Sequence, residues 1–294
     1  MQLLHHKYLV ASPEDRNWGL IVSCVGTQAI APGEQYPPAG HPSSHLFNPQ
    51  RGRVLDEYQL VYITQGRGMF RTESGDEFEI NEGDMFLLFP GKWHSYSPLA
   101  ETGWTEYWIG FNGGIASQWQ AQGFISSDRQ LNHVGIRGDI IELFREAMTV
   151  ADRQESGYQQ MLCGIACHII SACLYYEKNI AYREDKVLEI IGSARAFISK
   201  NVNTVTPKSV ADKVNVGYSK MRKLFKTYTG LSLGQYILQV RTNKAKNLLC
   251  ETSMSIAEIA SELGYDNEEY FSTSFKRITG EKPTGYRKKM TKTI

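Results

Sequence analysis

Between Tyr58 and Phe111 the apolar residues fall in short runs: Leu60–Ile63, Gly68–Arg71, Phe78–Ile80, Met85–Phe89 and Tyr107–Phe111. Gln65-Gly66, Ser74-Gly75-Asp76, Asn81-Glu82-Gly83-Asp84 and Pro90-Gly91 divide them. Short runs between glycine-bearing turns predict antiparallel strands. Met85-Phe-Leu-Leu-Phe is apolar throughout, as a strand covered on both faces must be. The whole predicts a jelly-roll barrel or sandwich. From Arg137 to Tyr176 the period becomes helical. Ile140, Ile141, Leu143, Phe144 and Met148 form one stripe; Met161, Leu162, Ile165, Ile169, Ile170 and Leu174 form a second, with Gly157 between. Two antiparallel helices follow, whose apolar stripe is expected to pack partly on the barrel and partly in a dimer. The polar stretch Asn179–Asp185 reads as a linker. Beyond it every segment is helical, beginning with a lead-in helix over Lys186–Asn201 that turns Val187, Ile190, Ile191, Ala194 and Ile198 inward.

The last hundred residues hold one pattern twice. Thr206-Pro-Lys-Ser-Val-Ala-Asp-Lys-Val, Gly217-Tyr218, Lys223-Leu-Phe-Lys and Thr229-Gly230 are answered by Ser255-Ile-Ala-Glu-Ile-Ala-Ser-Glu-Leu, Gly264-Tyr265, Thr273-Ser-Phe-Lys and Thr279-Gly280. Ala211 pairs with Ala260 at an offset of 49 and Phe225 with Phe275 at 50, so the second copy has one more residue in its turn. Short helix, tight turn and second helix make a helix-turn-helix. Thr206 before Pro207 is a strong helix start. Ser219 is expected to cap the next helix, Ser255 with Glu258 forms a capping box, and Gly264 ends its helix. Leu233–Leu249 has no breaker and predicts one long connecting helix.

At 294 residues the chain is long enough for about two domains. Its net charge of +1 conceals an asymmetry: residues 186–294 carry 19 Lys+Arg against 9 Asp+Glu, leaving 13 against 22 before them. A basic half joined to an acidic half suits a nucleic-acid binder with a separate sensing domain. No apolar run could cross a membrane, and the N-terminus lacks a signal layout. Five cysteines without metal-like spacing fit reduced thiols in a cytoplasm. Cys163 and Cys167 read as small buried hydrophobes.

Residues 187–287 resemble the DNA-binding domain of the AraC/XylS family of bacterial transcription regulators. The resemblance rests on Ile256-Ala-Glu-Ile-Ala, Leu263-Gly-Tyr265, Tyr270-Phe-Ser272, Phe275-Lys276, Gly280, Pro283 and Tyr286-Arg287. Residues 58–111 resemble the family's cupin-like effector domain, at Gly83-Asp-Met-Phe-Leu-Leu-Phe-Pro-Gly91 and His94. The expected α+β architecture has two domains: a cupin-like jelly roll over 1–136 with a helical dimerisation hairpin over 137–178, a linker over 179–185, and an all-α domain over 186–294.

The second helix of each helix-turn-helix enters a major groove. In the first copy Ser219, Lys220, Arg222, Lys223 and Lys226 are expected to face DNA, and Arg222 or Lys223 suits a guanine edge. In the second copy the face holds Asn267, Glu269, Ser272, Thr273, Lys276 and Arg277, and its acidic start predicts a weaker, shape-led contact. Matching to the family's sugar-binding member implies effector contacts at Arg51, Tyr96, Glu106 and Trp108, with His94 and Thr27 beside them. That member has a histidine where this chain has Glu106. Cupins often hold metals, but His94 stands alone among the strands and His41 and His45 lie upstream, so no metal, cofactor or enzymatic activity is expected. Implied partners are double-stranded DNA over adjacent major grooves, a small-molecule effector of sugar type, a second copy of the chain and RNA polymerase. Control by a non-sugar effector or a protein partner, or a metal-dependent cupin enzyme fused to a DNA-binding module, are the alternatives.

Overall fold

A computed structural model describes residues 4–37, 48–128, 131–180 and 185–291, and the chain divides into two compact units, 1–181 and 182–294. The expected histidines His41 and His45 lie outside the described residues. In the expected linker, 181–184 also lie outside, while Asn179 still belongs to a helix.

The first unit runs β1 (Leu4–Tyr8), α1 (Pro13–Asn17), β2 (Ile21–Ile30), β3 (Arg53–Val54), β4 (Tyr58–Gly66), β5 (Gly68–Thr72), β6 (Glu77–Ile80), β7 (Asp84–Leu88), β8 (Trp93–Pro98), β9 (Trp104–Asn112), α2 (Gly114–Ala121), β10 (Leu131–His133), α3 (Gly138–Arg153) and α4 (Tyr158–Ile180). The strands form two antiparallel sheets, β1-β2-β9-β4-β7-β10 and β3-β8-β5-β6. Neither is closed among the described residues, so the architecture is a jelly-roll sandwich. The apolar strand over Met85–Leu88 is buried throughout, as its pattern requires. Met85 and Leu87 meet α3 and α4 in one cluster with Tyr62, Ile109, Phe144 and Ile169. Phe86 and Leu88 turn the other way, into a second cluster between the sheets with Phe70, Tyr96, Trp104 and Trp108. Alternation along a strand thus gives the larger sheet one face for the helices and one for the interior. Cys163 lies in the helix-side cluster, with Cys167 packed against it.

The second unit comprises α5 (Asp185–Lys200), α6 (Pro207–Lys213), α7 (Tyr218–Thr229), α8 (Leu233–Glu251), α9 (Ile256–Glu262), α10 (Glu268–Thr279) and α11 (Pro283–Thr291). Thr206, Ser232 and Ser255 each close a capping box, satisfying amides that the first turn leaves bare. Ser219 does not cap: α7 begins one residue earlier, with Gly217 at the N-cap and no side chain on its amides. The two repeats end alike. Thr229 and Thr279 donate their hydroxyls to the Phe225 and Phe275 carbonyls, and Gly230 and Gly280 follow with left-handed backbones. Phe225 and Phe275 are each fully buried, in separate cores. Among the described residues no helix is long and apolar enough to cross a membrane.

Candidate effector pocket and nucleic-acid interface

In the second unit, burial of Met221 and Phe225 fixes which side of α7 is free. Ser219, Lys220, Arg222, Lys223 and Lys226 are all exposed, and the Arg222 guanidinium lies 5.6 Å from the Tyr218 ring centroid. On α10 the burial of Phe271, Ser274 and Phe275 leaves Glu269, Thr273, Lys276 and Arg277 exposed and Ser272 half-buried. Asn267 is exposed too, but its carbonyl oxygen caps α10 by accepting the Tyr270 amide at 2.8 Å. The two helices therefore present unlike surfaces. The first is basic from its start, whereas the second opens with Glu268 and Glu269, which favour the positive end of their own helix.

In the first unit the space between the sheets is polar where a sandwich core is normally dry. Trp104, Glu106 and Trp108 alternate inward along β9, all buried. Tyr96 and His94 enter from β8, buried and with rings stacked 6.2 Å apart. Arg53, opposite His94 in the β3–β8 register, donates to His94 Nε2 at 3.3 Å, Tyr96 Oη at 3.0 Å and Gln59 Oε1 at 3.3 Å. Two close approaches make room for the indoles. A Cβ on Gly26 would lie 2.3 Å from Trp108, and one on Gly68 2.4 Å from Trp104. Tyr36 closes on this wall, its ring 5.7 Å from that of Trp104.

Burial dominates the electrostatics. It pushes the Glu106 carboxyl up to about 8, with Arg53 pulling the other way. Glu106 Oε2 and Trp104 Nε1 have no hydrogen-bond partner among the described residues. Burial, then the Arg53 charge, lowers His94 to about 4. The neutral ring donates from Nδ1 to the Lys92 carbonyl at 3.1 Å and accepts from Arg53 at Nε2. Near neutrality the interior therefore offers a fixed cation, a neutral carboxyl able to donate and accept, a phenol raised to about 12 by burial at Tyr96, and two indoles. A cleft of about 760 Å³ reaches Phe70 and Phe86 of this interior, walled by Thr72, Lys92 and Trp93.

Two expected residues are elsewhere. Arg51 is exposed in the loop before β3, where its carbonyl accepts the Trp93 indole N–H at 3.0 Å. The guanidinium that reaches His94 and Tyr96 is that of Arg53. Thr27 is buried but pairs with Tyr107 on the helix side of the sheet, its hydroxyl bonded to the Glu106 carbonyl. Its neighbour Gln28, opposite Glu106, faces the interior, since one position along a strand changes the face. Among the described residues no group of three His, Cys, Asp or Glu is placed to hold a metal ion.

Comparison with known proteins matches both units to known domain families. Residues 25–162 match the AraC-like ligand binding domain family and residues 210–289 a helix-turn-helix domain family. The chain belongs to the AraC/XylS family of regulators. It is accordingly a DNA-binding transcription regulator with a ligand-binding domain. The AraC/XylS relatives it resembles include the raffinose operon transcriptional regulatory protein RafR of Pediococcus pentosaceus, 27% identical over 80% of this chain and 86% of that protein. The lactose operon transcription activator of Staphylococcus xylosus is 29% identical over 76% and 81%. The arabinose operon regulatory protein of Escherichia coli is 26% identical over 78% and 80%. Beyond the expected residues, the interior between the sheets also holds Arg53, Gln59 and Trp104. Strand parity with Glu106 and Trp108 is the signal that points to Trp104.

Proposed function

We propose that the chain is a cytoplasmic, sugar-responsive activator that binds its effector between the two sheets. The buried Glu106 carboxyl carries this reading: one of its oxygens has no partner among the described residues, in an interior that also holds Arg53, Tyr96, His94 and the Trp108 indole. A neutral carboxyl and a guanidinium suit hydroxyl groups, and an indole face suits the C–H side of a pyranose ring. Three AraC/XylS relatives named for sugar operons support the same class. A homodimer through α4 is part of the proposal. Met161 and Tyr175 remain 48% and 60% exposed there, in line with exposed Gly164, His168 and Ser171. The bound dimer would present α7 and α10 of each copy to successive major grooves and recruit RNA polymerase.

The test is a thermal-shift screen of the full chain against monosaccharides, uronic acids and short oligosaccharides. A true effector at a hundred times its Kd adds about 2.7 kcal/mol to stability. That gain should vanish in Arg53→Ala and Trp108→Ala. If no saccharide stabilises the chain while another metabolite class does, the sugar assignment falls.

A further inference from the structure

The second unit has two cores and one spine. The 19-residue α8, ~28 Å long at 1.5 Å per residue, places Leu233 and Ile237 in the core of the first repeat and Ala245 and Leu249 in that of the second. A spine shared by two small cores does not by itself set their angle, because each can pivot about it. The turn after α5 supplies a second connection. Within it Val202 packs in the second core and Val205 in the first, so only Asn203 and Thr204 lie between the two.

Arg241, midway along α8, holds that turn. Its Nε donates to the Val202 carbonyl at 2.9 Å, and its Nη2 reaches the carbonyls of Asn203 and Val205 at 3.4 and 3.3 Å. The same guanidinium lies 5.5 Å from the ring centroid of Tyr265, in the turn of the second repeat. Beside it, Gly264 has φ +72, and a Cβ there would fall 1.6 Å from the Asn203 carbonyl oxygen. Backbone meets backbone at that point, and only glycine permits it. A cleft of about 510 Å³, walled by Gln235, Leu238, Tyr270 and Arg277, borders the same junction, so the junction itself is not packed solid.

We propose that Arg241, with Gly264 and Tyr265, is a positioning clamp that locks the second recognition helix relative to the first, and so sets the base-pair spacing the chain accepts between its two contacts. Arg241 would then contact no base. The spacing consequence rests on the proposed reading of two successive grooves; the locking does not.

The experiment uses the full chain with spin labels on p-acetylphenylalanine incorporated at exposed Thr227 of α7 and Thr273 of α10. Double electron–electron resonance then measures the distance between the helices without DNA. The unmodified junction should give one narrow distribution. Arg241→Met should widen it about twofold at unchanged helical content, as a released hinge does, and Arg241→Lys should fall between. Gly264→Ala should shift the mean. If Arg241→Met does not fold, Arg241→Gln makes the same test. A width unchanged in the folded variants overturns the clamp. In parallel, one base pair inserted between the two contacted segments moves them by about 3.4 Å and a tenth of a turn. This should weaken the parent about tenfold and Arg241→Met about threefold or less. A parent indifferent to spacing, with the distribution still widened in Arg241→Met, overturns the two-groove reading and keeps the clamp.

Discussion

Replacing Glu106 by glutamine should flatten the alkaline side of the first unit's stability curve. In the folded chain the carboxyl keeps its proton up to about pH 8, whereas the unfolded chain releases it near 4.5. Between those values the native state holds the extra proton, so stability falls as pH rises and levels off above 8. At ~1.4 kcal/mol per pH unit the full window is worth at most ~5 kcal/mol. His94 works in the opposite direction. Its folded value of about 4 lies below the ordinary 6.5, so across that interval the unfolded state holds the extra proton and stability rises with pH. The two slopes offset each other from about 4.5 to 6.5, leaving a net loss of ~2 kcal/mol from 6.5 to 8. All five tryptophans lie in the first unit, so urea unfolding followed by tryptophan fluorescence isolates that unit within the intact chain. The parent should lose those ~2 kcal/mol between pH 6.5 and 8. Glu106→Gln should rise to about pH 6.5, where His94 alone acts, and then stay level. Parallel curves for parent and variant above pH 6.5 would refute the argument, because the carboxyl would then be ionised in the native pocket.

Three further outcomes are expected. Arg222→Ala should reduce discrimination at one base position by ~1–3 kcal/mol, while Lys226→Ala should weaken specific and random DNA alike; fluorescence anisotropy on paired duplexes separates the two, and equal losses for both variants would contradict the assignment. Gly26→Ala places a Cβ 2.3 Å from the Trp108 indole and 2.8 Å from the His5 carbonyl, so it should cost ~1–3 kcal/mol by overpacking and abolish any effector-dependent shift in melting temperature. Phe275→Ala empties a fully buried site in the second repeat and should cost ~3–5 kcal/mol, seen in a circular dichroism melt as the helices of that repeat unfolding first.

How much was legible in the sequence follows from how local each determinant is. Helix starts at Thr206, Ser232 and Ser255 depend on a side chain and an amide three residues on, and the first and last of these were readable from spacing alone. Ser219 misled because a hydroxyl near a helix start is a permissive signal; the turn brings Gly217 to the cap position first. Of the strands, β1, β2, β3, β8 and β10 had no clear signal. β3 is two residues long, and the internal strand β8 mixes Trp, His, Ser and Tyr because it lines a polar interior. The polar interior between the sheets was the least legible part, since its composition depends on register. Glu106 and Trp108 came from the family resemblance, and the register of β9 puts them on one face with Trp104. Arg51 lies in a loop two positions before Arg53, which pairs with His94, and Thr27 stands one position along β2 from Gln28, which is opposite Glu106.

The two repeats show the limit in another form. They share buried phenylalanines, Thr-Gly terminators and seven-residue first helices, and these common features are what made the duplication visible. What differs is on the free face: four cations on α7, and two carboxylates leading α10 before Lys276 and Arg277. Selection for the same core therefore left the presented surfaces free to diverge. An acidic helix start near phosphates is unfavourable unless its position is fixed, because a small shift brings carboxylates against the backbone. A rigid junction would relieve that problem by holding Glu268 and Glu269 at one depth, so the value of clamping at Arg241 should be greatest for the repeat whose own charges attract DNA least.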